Sequence, residues 1–179
     1  MRPIDPILEK LQRAQTAFFR CADSVPWELW STRPGPLQWS AAELSAHLIA
    51  VERAIVGASD RVTQKVPKYI PAMKRLHLPL WLVQSRLIRR KSPIPTDTTL
   101  LGSKEEMLAG LRGARERSLA FLDETQRKDL SVYCWPHPFL GMLNVYEWFE
   151  MIAAHQLRHT KQMKEISTRL PKAVGISQN

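Results

Sequence analysis

Two histidines near the end of the chain have a spacing that lets a helix present two imidazoles to one metal ion. His155 and His159 are four residues apart, so on a helix they project from one face, one turn apart. The apolar stripe that includes Trp148 and Ile152 runs directly into them, which places both rings at core positions. Burying a polar group without a partner costs ~1–3 kcal/mol, so these rings need a partner. A shared metal ion would satisfy both.

A third ligand would have to come from another helix, and His47 is the natural candidate. It lies three residues after Leu44 and four before Val51, at the edge of an apolar stripe. Three neutral imidazoles with an open fourth position are typical of a catalytic rather than a structural zinc site. Imidazoles also suit nickel and iron, so the pattern predicts a divalent metal ion without fixing its identity.

Other interpretations of the polar residues remain open. The three histidines could form a hydrogen-bonded network in the core, with no metal. Nearby polar side chains are assigned structural roles: Glu43 caps a helix and His137 makes a hydrogen bond within its H-P turn. Core satisfaction or helix packing is favoured for Gln162, which could instead donate to a ligand or to bound water. Glu52 is expected to be a surface acid, and His77 is expected to be exposed. No separate general base is identified, so the catalytic residues are left unassigned.

Three further side chains could take part in chemistry. Cys21 and Cys134 are the only cysteines, and neither belongs to a C-x-x-C pair. We expect free thiols, Cys21 buried on the first helix and Cys134 in a loop, and neither is assigned as a nucleophile. Trp39 is expected to pack over the start of the second helix, where it could also form a wall for a substrate.

The helices that must position these residues can be recognised from their starts. Ser40 and Ser103 each precede a glutamate by three residues, as in a capping box, and Asn144 opens a close variant. Asp5 followed by Pro6 predicts an N-cap with proline at the first helical position. Apolar residues three and four apart follow each start, which is typical of packed bundle helices. No strand is predicted, because no alternating run bounded by turn residues occurs.

These four helices predict an all-α four-helix bundle that forms a single domain over residues 1–179. Prolines at 67, 71, 79, 93 and 95 interrupt the segment between the second and third helices. We therefore predict an insertion at about 61–98, with a short amphipathic helix between Pro79 and Pro93.

Composition favours a soluble globular protein, with 44% hydrophobic and 24% charged residues. No apolar run approaches the ~20 residues of a membrane span, and the first residues do not resemble a signal peptide, so a cytoplasmic location is expected. The net charge of +9 favours anionic partners. The densest basic cluster, at 86–91, is interpreted as a solvated face, which makes a nucleic acid or a membrane surface the less favoured partner.

Two stretches resemble the sequence motifs of the DinB/YfiT-like superfamily. P-L-Q-W-S-A-A-E-L-S-A-H-L, from Pro36 to Leu48, resembles its tryptophan–capping residue–helix–histidine motif. The stretch from His137 to Met163 resembles its second motif, in which an H-P-x-x-G turn leads into a helix carrying H-x-x-x-H followed by Q. The motifs occur in the family's order, and the resemblance spans nearly the whole chain.

This resemblance implies a fold, a site and a class of reaction. The fold is a four-helix bundle in up-up-down-down order, often a homodimer. The site is a metal ion on three histidines that match His47, His155 and His159. Some members are thiol transferases that use bacillithiol, mycothiol or glutathione, although the insertion is longer than the family leads us to expect.

The leading hypothesis is therefore a metal-dependent thiol (S-)transferase or hydrolase. It would act on a low-molecular-weight thiol and a small electrophilic substrate, and the basic surplus could help to hold an anionic thiol. The alternative is a non-enzymatic, metal-stabilised binding or stress-response protein that contacts anionic partners.

Overall fold

The computed structural model describes residues 4–67, 71, 77–80, 83 and 101–170. Within these residues the chain is mostly helical, which confirms the predicted helical bundle. The four α-helices are α1 Asp5–Asp23, α2 Ala41–Thr63, α3 Lys104–Glu124 and α4 Val145–Arg169. Short 3₁₀ helices occupy Trp27–Leu29 and Leu130–Val132. No described helix has the length and apolar character needed to cross a membrane.

Three of the four predicted helix starts are confirmed as capping boxes. At the start of α2, Glu43 N–H donates to Ser40 Oγ (3.1 Å), and Ser40 N–H donates to Glu43 Oε2 (2.8 Å). The same reciprocal pair opens α3 at Ser103 and α4 at Asn144. Each box satisfies backbone donors that have no partner within the helix.

The predicted N-cap of α1 is wrong by one residue. Ile4 is the N-cap, because its carbonyl already accepts from Ile7 N–H (2.9 Å) and from Leu8 N–H (3.1 Å). Asp5 lies inside the first turn and makes no side-chain cap there. Its carboxylate can still interact favourably with the positive end of the helix dipole.

The directions of the helices follow from two core clusters at opposite ends of the bundle. One cluster joins the early residues of α1 and α4 to the late residues of α2 and α3: Ile7, Phe149, Ile55 and Phe121 are members. The other joins the late residues of α1 and α4 to the early residues of α2 and α3: Phe18, Met163, Leu44 and Met107 are members. So α1 and α4 run parallel, and α2 and α3 run parallel in the opposite direction.

The most extensive helix contacts are between α1 and α4 and between α2 and α3. Going around the bundle through α1, α4, α2 and α3, the directions are up, up, down and down. In chain order they are up, down, down and up, so α2 and α3 are parallel and consecutive, whereas α1 and α4 are parallel and lie at opposite ends of the chain order. The bundle thus has two parallel pairs, as the resemblance implies, but the order of directions along the chain differs from up, up, down and down.

The buried face of α2 departs from the predicted stripe in the second half of the helix. Val51 is only half-buried, whereas Glu52, Ser59 and Thr63 are buried. The two hydroxyls donate to the carbonyl one turn earlier, which satisfies them within the helix. Glu52 is 4% exposed and pairs with Arg115, so the prediction that it is a surface acid is wrong.

A small hairpin that the sequence analysis missed precedes α4. β1 (Cys134–His137) pairs antiparallel with β2 (Gly141–Asn144), so Cys134 lies on a strand and not in a loop. Strands of four residues are too short to show an alternating pattern, and Pro136 argues against a strand. Gly141 has φ 101°, a conformation that favours glycine.

Part of the predicted insertion packs against this hairpin. His77 forms an isolated antiparallel bridge with Gly141, and Leu78 N–H donates to Leu140 O (2.7 Å). The His77 ring is half-buried, with Nε2 3.2 Å from Glu147 Oε1, so the prediction that His77 is exposed is wrong. Most of the amphipathic helix predicted between Pro79 and Pro93, and the basic cluster at 86–91, lie outside the described residues.

Candidate metal centre

The structure brings the three predicted histidines together in one cluster between α2 and α4. The Nε2 atoms of His47 and His155 are 3.3 Å apart, and those of His155 and His159 are 3.1 Å apart. Ligand-capable nitrogens of all three rings lie within 4.8 Å of one another. With zinc–nitrogen bonds of about 2.0–2.1 Å, two ligands of a tetrahedral site are about 3.3 Å apart. The spacing therefore fits a metal ion held by the three Nε2 atoms.

Hydrogen bonding alone satisfies this cluster poorly. A neutral imidazole nitrogen carries either one proton or one lone pair. His155 Nε2 can thus make one good hydrogen bond, yet it faces the Nε2 atoms of both His47 and His159. A metal ion would accept a lone pair from each ring, so the donor set fits a metal better than it fits the metal-free polar network.

Two rings of the cluster are held in the neutral state that a metal requires. Burial lowers the pKa of His47 to about 4. Burial, together with the neighbouring His159 and His47 rings, holds the pKa of His155 well below its ordinary value of 6.5. At neutral pH these two rings therefore carry lone pairs that are available to a cation, with no proton to displace.

Gln162 holds one ring of the cluster in a fixed orientation. His159 Nδ1 lies 3.0 Å from Gln162 Oε1, one turn along α4. The amide oxygen accepts the Nδ1 proton, which leaves the lone pair of the ring on Nε2, where it faces the cluster. Of the two roles left open for Gln162, core satisfaction and a bond at the site, the structure shows a hydrogen bond to a ring of the cluster.

Trp39 forms one wall of the cluster. Its ring centroid is 5.0 Å from that of His47 and 6.2 Å from that of His159, nearly parallel to the latter. The residue directly precedes the cap of α2, as predicted. Arg33 Nε donates to Glu43 Oε2 (2.9 Å), and this ion pair anchors the loop that carries Trp39 to the first turn of α2.

An aromatic group that sequence reasoning did not identify joins the hairpin to the first turn of α4. Trp135 and Trp148 stack with centroids 4.8 Å apart, and the His137 ring lies 5.1 Å from that of Trp148. His137 Nδ1 accepts from Phe139 N–H (3.1 Å) and Leu140 N–H (3.2 Å), which confirms the predicted turn hydrogen bond. A neutral His137 therefore carries its proton on Nε2, and burial lowers its pKa.

The two thiols lie outside the histidine cluster. Both cysteines are free and half-buried. Cys21 is only half-buried, so its predicted burial on α1 is wrong, and the neighbouring Ala22 is buried instead. Cys134 Sγ donates to Ser131 O at 3.6 Å.

Comparison with known proteins finds a family match that spans the cluster. A family model described as the DinB superfamily matches residues 10–163, which include the three histidines. A protein of Bacillus subtilis (strain 168), named "Uncharacterized protein YuaE", is 28% identical over 149 residues, which cover 82% of this chain and 88% of that protein. No solved structure matches the chain.

Proposed function

Because this chain belongs to the DinB superfamily, we propose that it is a metal-dependent enzyme that transfers a low-molecular-weight thiol to a small electrophile. The observation that carries the proposal is the cluster of His47, His155 and His159, to which the described residues add no fourth His, Cys, Asp or Glu ligand. Three imidazoles leave a coordination position for a substrate. Hydrolysis at the same position is the second reaction to test.

The metal would supply acidity. A bound divalent cation deprotonates a thiol outright and lowers the pKa of water to about 7. In the transfer, the thiol would lose its proton, its sulfur would bond to the electrophilic carbon, and the leaving group would depart with the electron pair of its former bond.

The protein's own residues would orient the metal and exclude water. Gln162 keeps the His159 lone pair on Nε2, and Trp39 covers His47 and His159 from one side. His155 is half-buried and keeps part of its surface accessible, so substrates would approach next to it. The net charge of +9 favours an anionic thiol such as glutathione or bacillithiol.

The test is an assay of the zinc-, nickel- and iron-loaded protein with thiols and electrophiles in combination. Glutathione, bacillithiol and mycothiol would be paired with activated aryl halides and epoxides, and loss of free thiol would be followed along with the product mass. His155→Ala should abolish the transfer, and metal should restore it after chelation of the wild type. Product formed without loss of thiol would identify a hydrolase instead.

A fully loaded protein with no turnover in any pairing would contradict the enzymatic proposal. It would favour the alternative, a metal-stabilised binding or stress-response protein that contacts anionic partners. The homodimer and the cytoplasmic location stay predictions. Sedimentation of the purified protein would test the homodimer.

A further inference from the structure

One guanidinium near the centre of the bundle contacts all four helices. Arg115 of α3 is 2% exposed, and its Nε donates to Glu52 Oε1 of α2 (2.7 Å). One terminal nitrogen donates to Glu52 Oε2 (3.1 Å) and to Gln156 Oε1 of α4 (2.8 Å). The other donates to the backbone carbonyl of Leu11 in α1. Ser118 Oγ adds a donor to Glu52 Oε1 (2.7 Å).

This network lies close to the candidate metal centre on both helices that supply histidines. Glu52 follows His47 by five residues, about 7.5 Å along α2 at 1.5 Å per residue. Gln156 directly follows His155 on α4. The guanidinium therefore bridges α2 and α4 within about two helical turns of the three Nε2 atoms.

A buried ion pair adds little net stability, because desolvation of the two charges offsets most of their attraction. Its hydrogen bonds are nevertheless directional and short, so they define how far apart two helices lie and how they are aligned along their axes. A three-histidine site depends on both quantities, since a shift of α2 against α4 moves His47 relative to His155 and His159.

We propose that Arg115 is a positioning residue, which together with Glu52 and Gln156 fixes the separation and alignment of α2 against α4 and thereby tunes the affinity and geometry of the metal centre. This inference rests on the metal centre of the proposed function. It assigns no contact between Arg115 and the metal or the substrate.

The test uses cobalt(II) as the probe, because it reports affinity and coordination geometry without any assay of turnover. The main variant replaces the polar network with apolar side chains of similar size: Arg115→Met, Glu52→Leu and Gln156→Leu in one chain. We expect it to fold, with a melting temperature close to that of the wild type. Its affinity for cobalt should fall about 10- to 100-fold, the loss that is typical when groups that orient metal ligands are removed. Its visible absorption bands should also change.

Arg117→Met is the matched control. Arg117 lies on the same helix and also pairs with α2, through Asp60 (3.1 Å), but its side chain is 46% exposed. We expect this variant to keep the affinity and the spectrum of the wild type.

Gln156→Leu alone serves if the triple variant fails to fold, because it removes only the α4 arm and keeps the Arg115–Glu52 pair. A folded variant of either kind that binds cobalt with wild-type affinity and an unchanged spectrum would overturn the inference and leave the metal centre in place. A wild type that binds no cobalt would remove the metal centre and the inference together.

Discussion

His47 comes from α2, whereas the other two histidines of the cluster come from α4, so removing it leaves two imidazoles on one helix. We expect His47→Ala to reduce the metal content of the purified protein from near one ion per chain to a small fraction. Elemental analysis of untagged protein measures this directly. His77→Ala is the matched control, because His77 pairs with Glu147 outside the cluster and its loss should leave the metal content unchanged.

Gln162 tests whether support of a ligand ring matters beyond the ligands themselves. Gln162→Leu removes the acceptor of the His159 Nδ1 proton, so the ring can rotate and can move its proton to Nε2. We expect zinc affinity to fall about 10-fold, measured by competition with a chromogenic chelator. Gln162→Glu retains an acceptor and should bind zinc at least as well as the wild type. Equal affinities in all three proteins would refute this role.

At the level of single residues, the sequence revealed the cluster but not what surrounds it. The three histidines were recognisable because a helical spacing of four, set on an apolar stripe, is a local pattern. Glu52 was taken for a surface acid, although it is buried against Arg115, 63 positions away and on another helix. Spacing along one helix cannot show such a partner. Gln162 stood at a visible core position three residues after His159, but its spacing did not decide between core satisfaction and a bond to that ring.

At the level of elements, the capping boxes were predictable because each one lies within four consecutive residues. The hairpin was not, because its strands are short and include Pro136. The buried face of α2 was misplaced for a related reason: the stripe was traced through apolar residues, although Glu52 and Ser59 find partners that allow them to be buried.

Two capping boxes allow a prediction about how α2 supports the site. Ser40→Ala and Ser103→Ala should each lower the free energy of unfolding by about 1 kcal/mol, since each removes one side-chain cap. Only Ser40 opens the helix that carries His47 and follows Trp39 directly. We therefore expect Ser40→Ala alone to weaken cobalt binding.

Urea denaturation and cobalt titration of both variants check this prediction. A matching loss of cobalt affinity in Ser103→Ala would show that the effect is general destabilisation, and that the start of α2 has no special role at the site.

At the level of the whole molecule, the helix directions explain part of the long segment between α2 and α3. These two helices run parallel, so the chain must return along the length of the bundle before α3 begins. α2 has 23 residues, and a helix of that length spans about 35 Å at 1.5 Å per residue. About ten extended residues would cover this distance at ~3.5 Å each. Residues 64–103 exceed that length several-fold, so the return path explains only part of the insertion predicted at 61–98.

The stability of the metal-free protein should depend on pH through His47. Its folded pKa is about 4, against about 6.5 for the unfolded chain, so below pH 6.5 the unfolded state binds more protons than the folded state. The contribution of this group is therefore fully present above pH 6.5 and is lost as the pH falls towards 4. By pH 5 the loss from His47 amounts to about 2 kcal/mol.

Urea unfolding of chelated protein at pH 7.5, 6 and 5 measures this dependence. His155 acts in the same direction, because burial and the neighbouring rings also hold its pKa low. His47→Leu should show a shallower slope, since that site no longer accepts a proton in the unfolded state. An equally steep fall in the variant would place the pH-sensitive group elsewhere in the molecule and would argue against a buried, neutral His47.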